Sequence, residues 1–304
     1  MKTPLILTNS LLGTWLLLAC QSPQKVENYA NFTSMPDNDQ FSKYWYQGEA
    51  EVNSYQLTIN RYGEDRWGDA VLVFVTEDFS ASKQVKLDNP AEAEGDKIPV
   101  LKLNELWKFK TGIYDYSMMQ SVFTPVSLKQ HPKTLKVSTS SQDWCGHTFT
   151  QINLQDNKDY QYRQFSYFES EGDIDKKLKD VLLEDELLTR LRIDPDGVPT
   201  GEVDLLPGNF FLRLSHEHAE PHMARIQKKS TENANELVIE YMHLDRTVII
   251  AYETNFPYKI LSWEESNSKG RRVRATLKNS IKSPYWQRNS NRYSGLRDTL
   301  QLNF

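Results

Sequence analysis

Apolar and polar positions divide the chain into three stretches. Residues 11–19 are mostly apolar, follow the positive Lys2, and end in Leu17-Leu18-Ala19 before Cys20. A helix needs about 20 apolar residues to cross a bilayer core of about 30 Å, so this run predicts a cleaved export signal over 1–19. Residues 20–40 are polar and without sustained period, which reads as a flexible tether. From residue 41 a period of two sets in. Tyr46, Gly48, Ala50 and Val52 alternate with Gln47, Glu49 and Glu51, the pattern of a strand with one buried face.

Strand patterns then recur. AVLVFV at 70–75 follows a turn at Arg61–Asp65, and TLKVSTSSQDWCGHTFTQINL and YQYRQFSYF flank a turn at 156–159. A helix is predicted near 174–193, where Leu178, Val181, Leu182, Leu188 and Leu191 share a face and Asp194-Pro195-Asp196-Gly197 supplies the stop. Strands resume with GNFFLRLSH (208–216), ELVIEYMHL (236–244), TVIIAYET (247–254), YKILSWEE (258–265) and VRATLKN (273–279). The expected fold is mainly β: an antiparallel curved sheet or open barrel with one short helix. It occupies a single β-rich domain over 41–304, with two strand groups split by that helix.

Two cysteines change the picture. Leu-Leu-Ala-Cys looks like a bacterial lipobox, in which Cys20 is cut free and acylated with chains such as palmitate; Gln21, in place of Asp, points to the outer membrane. Cys145 is then left without an internal disulfide partner, and stability must come from core burial. The mature chain carries 35 basic against 41 acidic residues once Lys2 is removed. That balance argues against nucleic acid and against an anionic membrane surface. Attachment is expected through the lipid on Cys20, facing the periplasm, with a hydrophobic ligand or an envelope protein as partner.

Two clusters carry candidate chemistry. In SQDWCGHTF, Asp143, Cys145 and His147 stand at alternate positions, so on a strand they share a face. Cys145 and His147 are a candidate reactive pair, set against the reading preferred here, a buried hydrophobic thiol. In LSHEHAEPH, His216 and His218 share a strand face and His222 follows Pro221, a candidate zinc site and the basis of an alternative reading as a metal-dependent hydrolase. The aromatic groups around Tyr44-Trp45-Tyr46, Trp107, Phe165, Trp263 and Tyr285-Trp286 suit cross-strand packing, or a concave surface for a sugar or acyl chain. No Gly-rich phosphate loop, G-x-S-x-G elbow or H-E-x-x-H motif is present.

Residues 44–80, FKTGIYDYSMMQSVFTPV (109–126) and STSSQDWCGHTF (138–149) together resemble a family of uncharacterised bacterial outer-membrane lipoproteins of this length. Some of its members carry the label "septum formation inhibitor Maf". Maf nucleotide pyrophosphatases are cytoplasmic and begin with a Ser-x-Ser-Pro-Arg-Arg type of loop, which this chain lacks, so that activity is not carried over. Residues 247–266 are similar to late strands of exported curved-sheet proteins, some with lipid-carrier roles, which implies a concave β surface. The functional expectation is a non-catalytic envelope lipoprotein with a binding or structural role, for a lipid-like ligand or as an interaction module for envelope or cell-division machinery, and without a cofactor.

Overall fold

The computed structural model describes residues 38–304, apart from residues 94 and 156–157 and the side chains of Asn38 and Arg271. The export signal, Cys20 and most of the tether lie outside the described residues. The described chain forms fifteen strands in one sheet. They are β1 (Ala50–Arg61), β2 (Glu64–Ser80), β3 (Lys97–Thr111), β4 (Tyr114–Pro125), β5 (Lys136–Asp143), β6 (Gly146–Gln155), β7 (Asp159–Ser166) and β8 (Ile174–Leu178). The second group is β9 (Leu182–Leu183), β10 (Gly201–Leu206), β11 (His222–Ser230), β12 (Asn235–Tyr241), β13 (Thr247–Tyr252), β14 (Ile260–Asn267) and β15 (Gly270–Ser283). Short helices are α1 (Asn38–Trp45), α2 (Leu187–Ile193), α3 (Asn209–Ser215) and α4 (Gly295–Thr299).

The strand order explains the shape. β1 and β15 pair in the centre, the strands run outward on both sides, and β8 and β9 are the two edges. All pairs are antiparallel except β9 with β10. Laid flat, fifteen strands would measure about 65 Å across. Yet the two edges are joined through residues 179–181, which span at most about 14 Å. The sheet must therefore curl until its edges meet. The chain closes the curl at that seam, and hydrogen bonds between β8 and β9 do not. This is the expected open, barrel-like antiparallel sheet.

The concave side is filled. The residues before α2 turn inward from β9, and all seven residues of α2 are buried. The concave surface expected to hold a lipid-like ligand is thus occupied by the protein's own helix. α1 closes one end through Phe41 and Trp45, with Trp45 packed on Phe74. On the convex side Val52, Val71, Val73 and Val75 are covered by Leu300 and Leu302. Burial on both faces of β2 makes AVLVFV a continuous apolar run rather than an alternating one.

Several expected elements are redrawn. Residues 38–45 are helical, with Phe41 and Trp45 buried one turn apart; of the alternation expected over 46–52, Tyr46 and Gly48 lie in an exposed bend and only Ala50 and Val52 belong to a strand, where Glu51 is buried as well, and the tether expected over 20–40 gives way to α1 at residue 38. The helix expected over 174–193 is split into β8, β9, a 3-10 turn at Glu184–Glu186, and α2. Its leading half pairs with β7 along Tyr160–Leu178 to Gln164–Ile174, so edge pairing overrides the local helical pattern. GNFFLRLSH, read as a strand, is α3. Asp185 fixes its start by accepting the Asn209 N–H at 3.0 Å and the Asn209 side-chain amide at 2.7 Å, a cap from outside the segment.

Candidate functional site

α3 lies at the end of the curled sheet opposite α1, and three cavities border it among the described residues. The innermost, about 60 Å³, lies between α3 and the strands, with Trp107, Trp263 and Phe210 among its walls. Trp107 packs edge-on against Phe210 at 4.8 Å and stacks with Trp263 at 6.2 Å between ring centres. Four carboxyl groups reach this chamber: Glu105 from β3, Glu184 and Asp185 from the 3-10 turn, and Glu265 from β14.

One cation serves two of the four. Arg246 clasps Glu184 with Nη1 at 2.5 Å and Nη2 at 2.7 Å, and donates from Nε to Glu265 at 2.8 Å. Its guanidinium lies over the Phe211 ring at 4.2 Å, and the Tyr241 hydroxyl also donates to Glu184. This arrangement holds the Arg246 charge firmly, well above the usual guanidinium range, despite its burial.

Glu105 and Asp185 have no such partner. Glu105 accepts a hydrogen bond from Trp107 Nε1 at 2.8 Å. Burial first, and then the charges of Asp185, Glu265 and Glu184, push its carboxyl up to about 8. Burial, then Glu184, push Asp185 up to about 7, against the lowering pull of the Asn209 N–H and the Gln120 amide. Near neutral pH this pair therefore holds protons that ordinary carboxylates have lost, and it can donate hydrogen bonds as well as accept them.

The second cavity, about 270 Å³, adjoins the chamber and shares Phe211, Arg246 and Glu265 with it. It opens outward between Arg61, Ser215, Glu217 and Asp245. The third, about 140 Å³, lies on the other side of α3 and is lined by Thr150, Tyr162, Gln164, Arg213, His216 and His218, among others. There Arg213 stacks on Phe168 at 4.5 Å, with Asp143 at 3.7 Å and Glu171 at 4.0 Å from its nitrogens.

The predicted site residues fall otherwise than expected. His216 caps the C-terminus of α3 in a left-handed conformation (φ 55°) and shares a hydrogen bond at 2.7 Å with Glu171. His218 lies in the following loop, and His222 begins β11 opposite Leu205. The two-apart strand geometry proposed for zinc is absent because Arg213–His216 belongs to a helix end. Among the described residues no three His, Cys, Asp or Glu side chains are arranged to hold a metal ion. Cys145 is exposed, not buried, and occupies the turn between β5 and β6. Asp143 Oδ1 accepts the Cys145 N–H at 2.7 Å and shapes that turn, and His147 stands beyond it, opposite Gln142. The three residues do not share a strand face. Gly146 is kept free of a Cβ by the Tyr167 ring, which a Cβ would meet at 2.6 Å.

The chamber residues carry a signal in the sequence. Glu105 sits in phase with the buried Leu103, Trp107 and Phe109, and Glu265 in phase with Trp263. A carboxylate on the apolar phase of a strand is costly unless it has a use.

Comparison with known proteins adds little. No protein-family model matches the chain, and no curated protein does. Among solved structures, the chain is similar to a beta-barrel-like protein of a domain of unknown function, DUF1849, from Brucella abortus, with a TM-score of 0.46 and 8% identity. The match covers 77% of this chain and 98% of that one.

Proposed function

We propose that this chain is a non-catalytic, lipid-anchored protein of the outer membrane, facing the periplasm, that binds a small organic cation in the cleft beneath α3. The observation that carries the reading is the chamber itself: two carboxyl groups poised near neutrality, walled by Trp107, Trp263 and Phe210. Aromatic faces and carboxylates together suit an ammonium group. With Arg246 already held by Glu184 and Glu265, an entering monocation would displace one proton from the Glu105 and Asp185 pair and take its place. The chamber has room for the charged head of such a ligand, and the adjoining cavity of about 270 Å³ for its body. Anchoring rests on the Leu-Leu-Ala-Cys20 ending of the signal.

Isothermal titration of the mature chain with a panel of primary amines, quaternary ammonium compounds and neutral polyols tests the site. Cations are expected to bind and to release protons, seen as a heat that depends on the ionisation enthalpy of the buffer. Glu105→Gln with Asp185→Asn should abolish both. Equal binding by the double variant, or binding of the polyols alone, would sink the reading. For the anchor, Cys20→Ala should remove acyl labelling and membrane retention together; retention of both would refute it.

A further inference from the structure

Hairpin tips favour Asn, Asp and Gly, which tolerate φ > 0 or bond their own backbone. Three tips at the α3 end instead hold large apolar side chains in solvent. They are Tyr62 between β1 and β2, Ile113 between β3 and β4, and Trp144 between β5 and β6, exposed by 61%, 81% and 69%, with Tyr62 leaning on the next hairpin through a hydroxyl hydrogen bond to Tyr116 at 2.9 Å. Tyr62 adopts φ 58°, a left-handed conformation that bulky residues rarely take. Tyr167 in the β7–β8 loop and Met242 after β12 continue this rim, each about half exposed.

Register sets the relative heights of the three tips. Gly68 pairs with Phe109 and Ser117 with Gln142, so each tip stands two residues lower along the strands than the one before it. Two residues rise about 6.6 Å, and two strands are about 9.6 Å wide. Strands tilted by about 35°, as in a barrel-like sheet, bring such tips level. Successive tips are then about 12 Å apart along the backbone.

We propose that this rim docks on a zwitterionic phospholipid bilayer, with Tyr62, Ile113 and Trp144 dipping into its interface. Separated pegs suit a fluid that closes around each one, whereas a protein partner concentrates its contact energy in one contiguous, packed centre. Tyr and Trp are the side chains enriched where water meets lipid. The exposed carboxylates of Glu64, Asp65, Asp115, Glu169 and Asp173 stand near the tips and oppose an anionic surface. The 17 residues between Cys20 and Asn38 can span up to about 60 Å, more than the roughly 40 Å length of β1, so an anchor at Cys20 leaves the rim able to face the same bilayer. The proposal depends neither on the ligand of the α3 cleft nor on acylation of Cys20.

The test is flotation of the full mature chain carrying Cys20→Ser, which has no acyl chain to hold it, with phosphatidylcholine vesicles. The chain is expected to float with the vesicles, with no gain from added phosphatidylglycerol and no loss in high salt. Tyr62→Asn, Ile113→Asn and Trp144→Asn combined should lower the partition coefficient roughly tenfold or more while the melting temperature and amine titration stay unchanged. Failure to float, equal flotation of the triple variant, or binding confined to anionic vesicles in low salt would overturn the proposal. So would a dimer in sedimentation that the triple substitution dissolves without any flotation, which would give the rim to a second copy of the chain.

Discussion

Replacing Glu105 by Gln should make the protein more stable, and increasingly so as pH rises. The carboxyl moves from an ordinary 4.5 to about 8 on folding, chiefly by burial. Between those values the folded chain holds one proton more than the unfolded chain, so unfolding free energy falls as pH increases. Each pH unit costs about 1.4 kcal/mol, or about 5 kcal/mol over the whole interval. Relaxation of a chamber that has room for water reduces this, and the expected gain for the variant at pH 8 is about 2–4 kcal/mol. Gln keeps an oxygen to accept from Trp107 Nε1, now at 2.8 Å, and presents an amide where the protonated acid presents its hydroxyl. Urea unfolding at pH 5, 7 and 8.5 is the assay. Wild type should weaken across that range and the variant should weaken much less. Parallel pH dependence, or a variant no more stable at pH 8.5, would refute burial of an ionisable Glu105.

At the other end of the sheet the sign reverses. Glu51 is held at about 2: burial alone would raise it, but Arg192 at 2.6 and 2.8 Å outweighs burial. Its stabilising share is present above 4.5 and is lost as pH falls towards 2, about 3 kcal/mol in all, which acid unfolding of wild type and Glu51→Gln should separate. Removing one partner of this fully buried pair should cost about 3–5 kcal/mol, and Glu51→Leu with Arg192→Met should cost far less than the two single changes summed; additive losses in urea unfolding would show that the pair is not coupled. Cys145, exposed in its turn, should alkylate as fast in native buffer as in denaturant, and Cys145→Ser should change stability by no more than about 0.5 kcal/mol. Native protection from a maleimide would contradict the placement.

The strands were legible wherever one face met the core and the other was more open, as in Val248–Tyr252. Legibility failed where tertiary contacts overrode local pattern. Phe210, Leu212 and Arg213 are buried on α3, and a short run such as FFLRL is compatible with either period. Its helical start depends on Asp185, 24 positions away. In α2 an amphipathic period would leave Arg190 and Arg192 in solvent. Both are buried, and the partner that makes this possible for Arg192 is Glu51, 141 positions away. The same applies to the site. Glu105 and Glu265 could be noticed as carboxylates on an apolar phase, but nothing local joins them to Asp185 or to Arg246.

Those distant contacts converge on one segment because of where the sheet closes. The two halves of the sheet run outward from the central β1–β15 pair, and their edge strands β8 and β9 are joined by the short connection between them, so the stretch after β9 enters the curled sheet at its seam. Its charged groups are then matched in three ways: Glu184 meets Arg246 and Arg192 meets Glu51 across the sheet, Glu186 meets Arg190 within the segment, and Asp185 accepts from the Asn209 amide. Slippage of this segment by one residue would leave several buried charges unmatched, at a cost of several kcal/mol for each one. Register inside the sheet is thus set by electrostatics as much as by packing. Its consequence is functional. The residues that fix the segment at α1's end also fix the floor of the chamber at α3's end, where Glu184, Asp185 and Leu188 face Glu105 and Trp107. The cation site proposed above needs its carboxyl groups held at fixed separations before a ligand arrives, and the interior helix would supply that rigidity without any loop having to close.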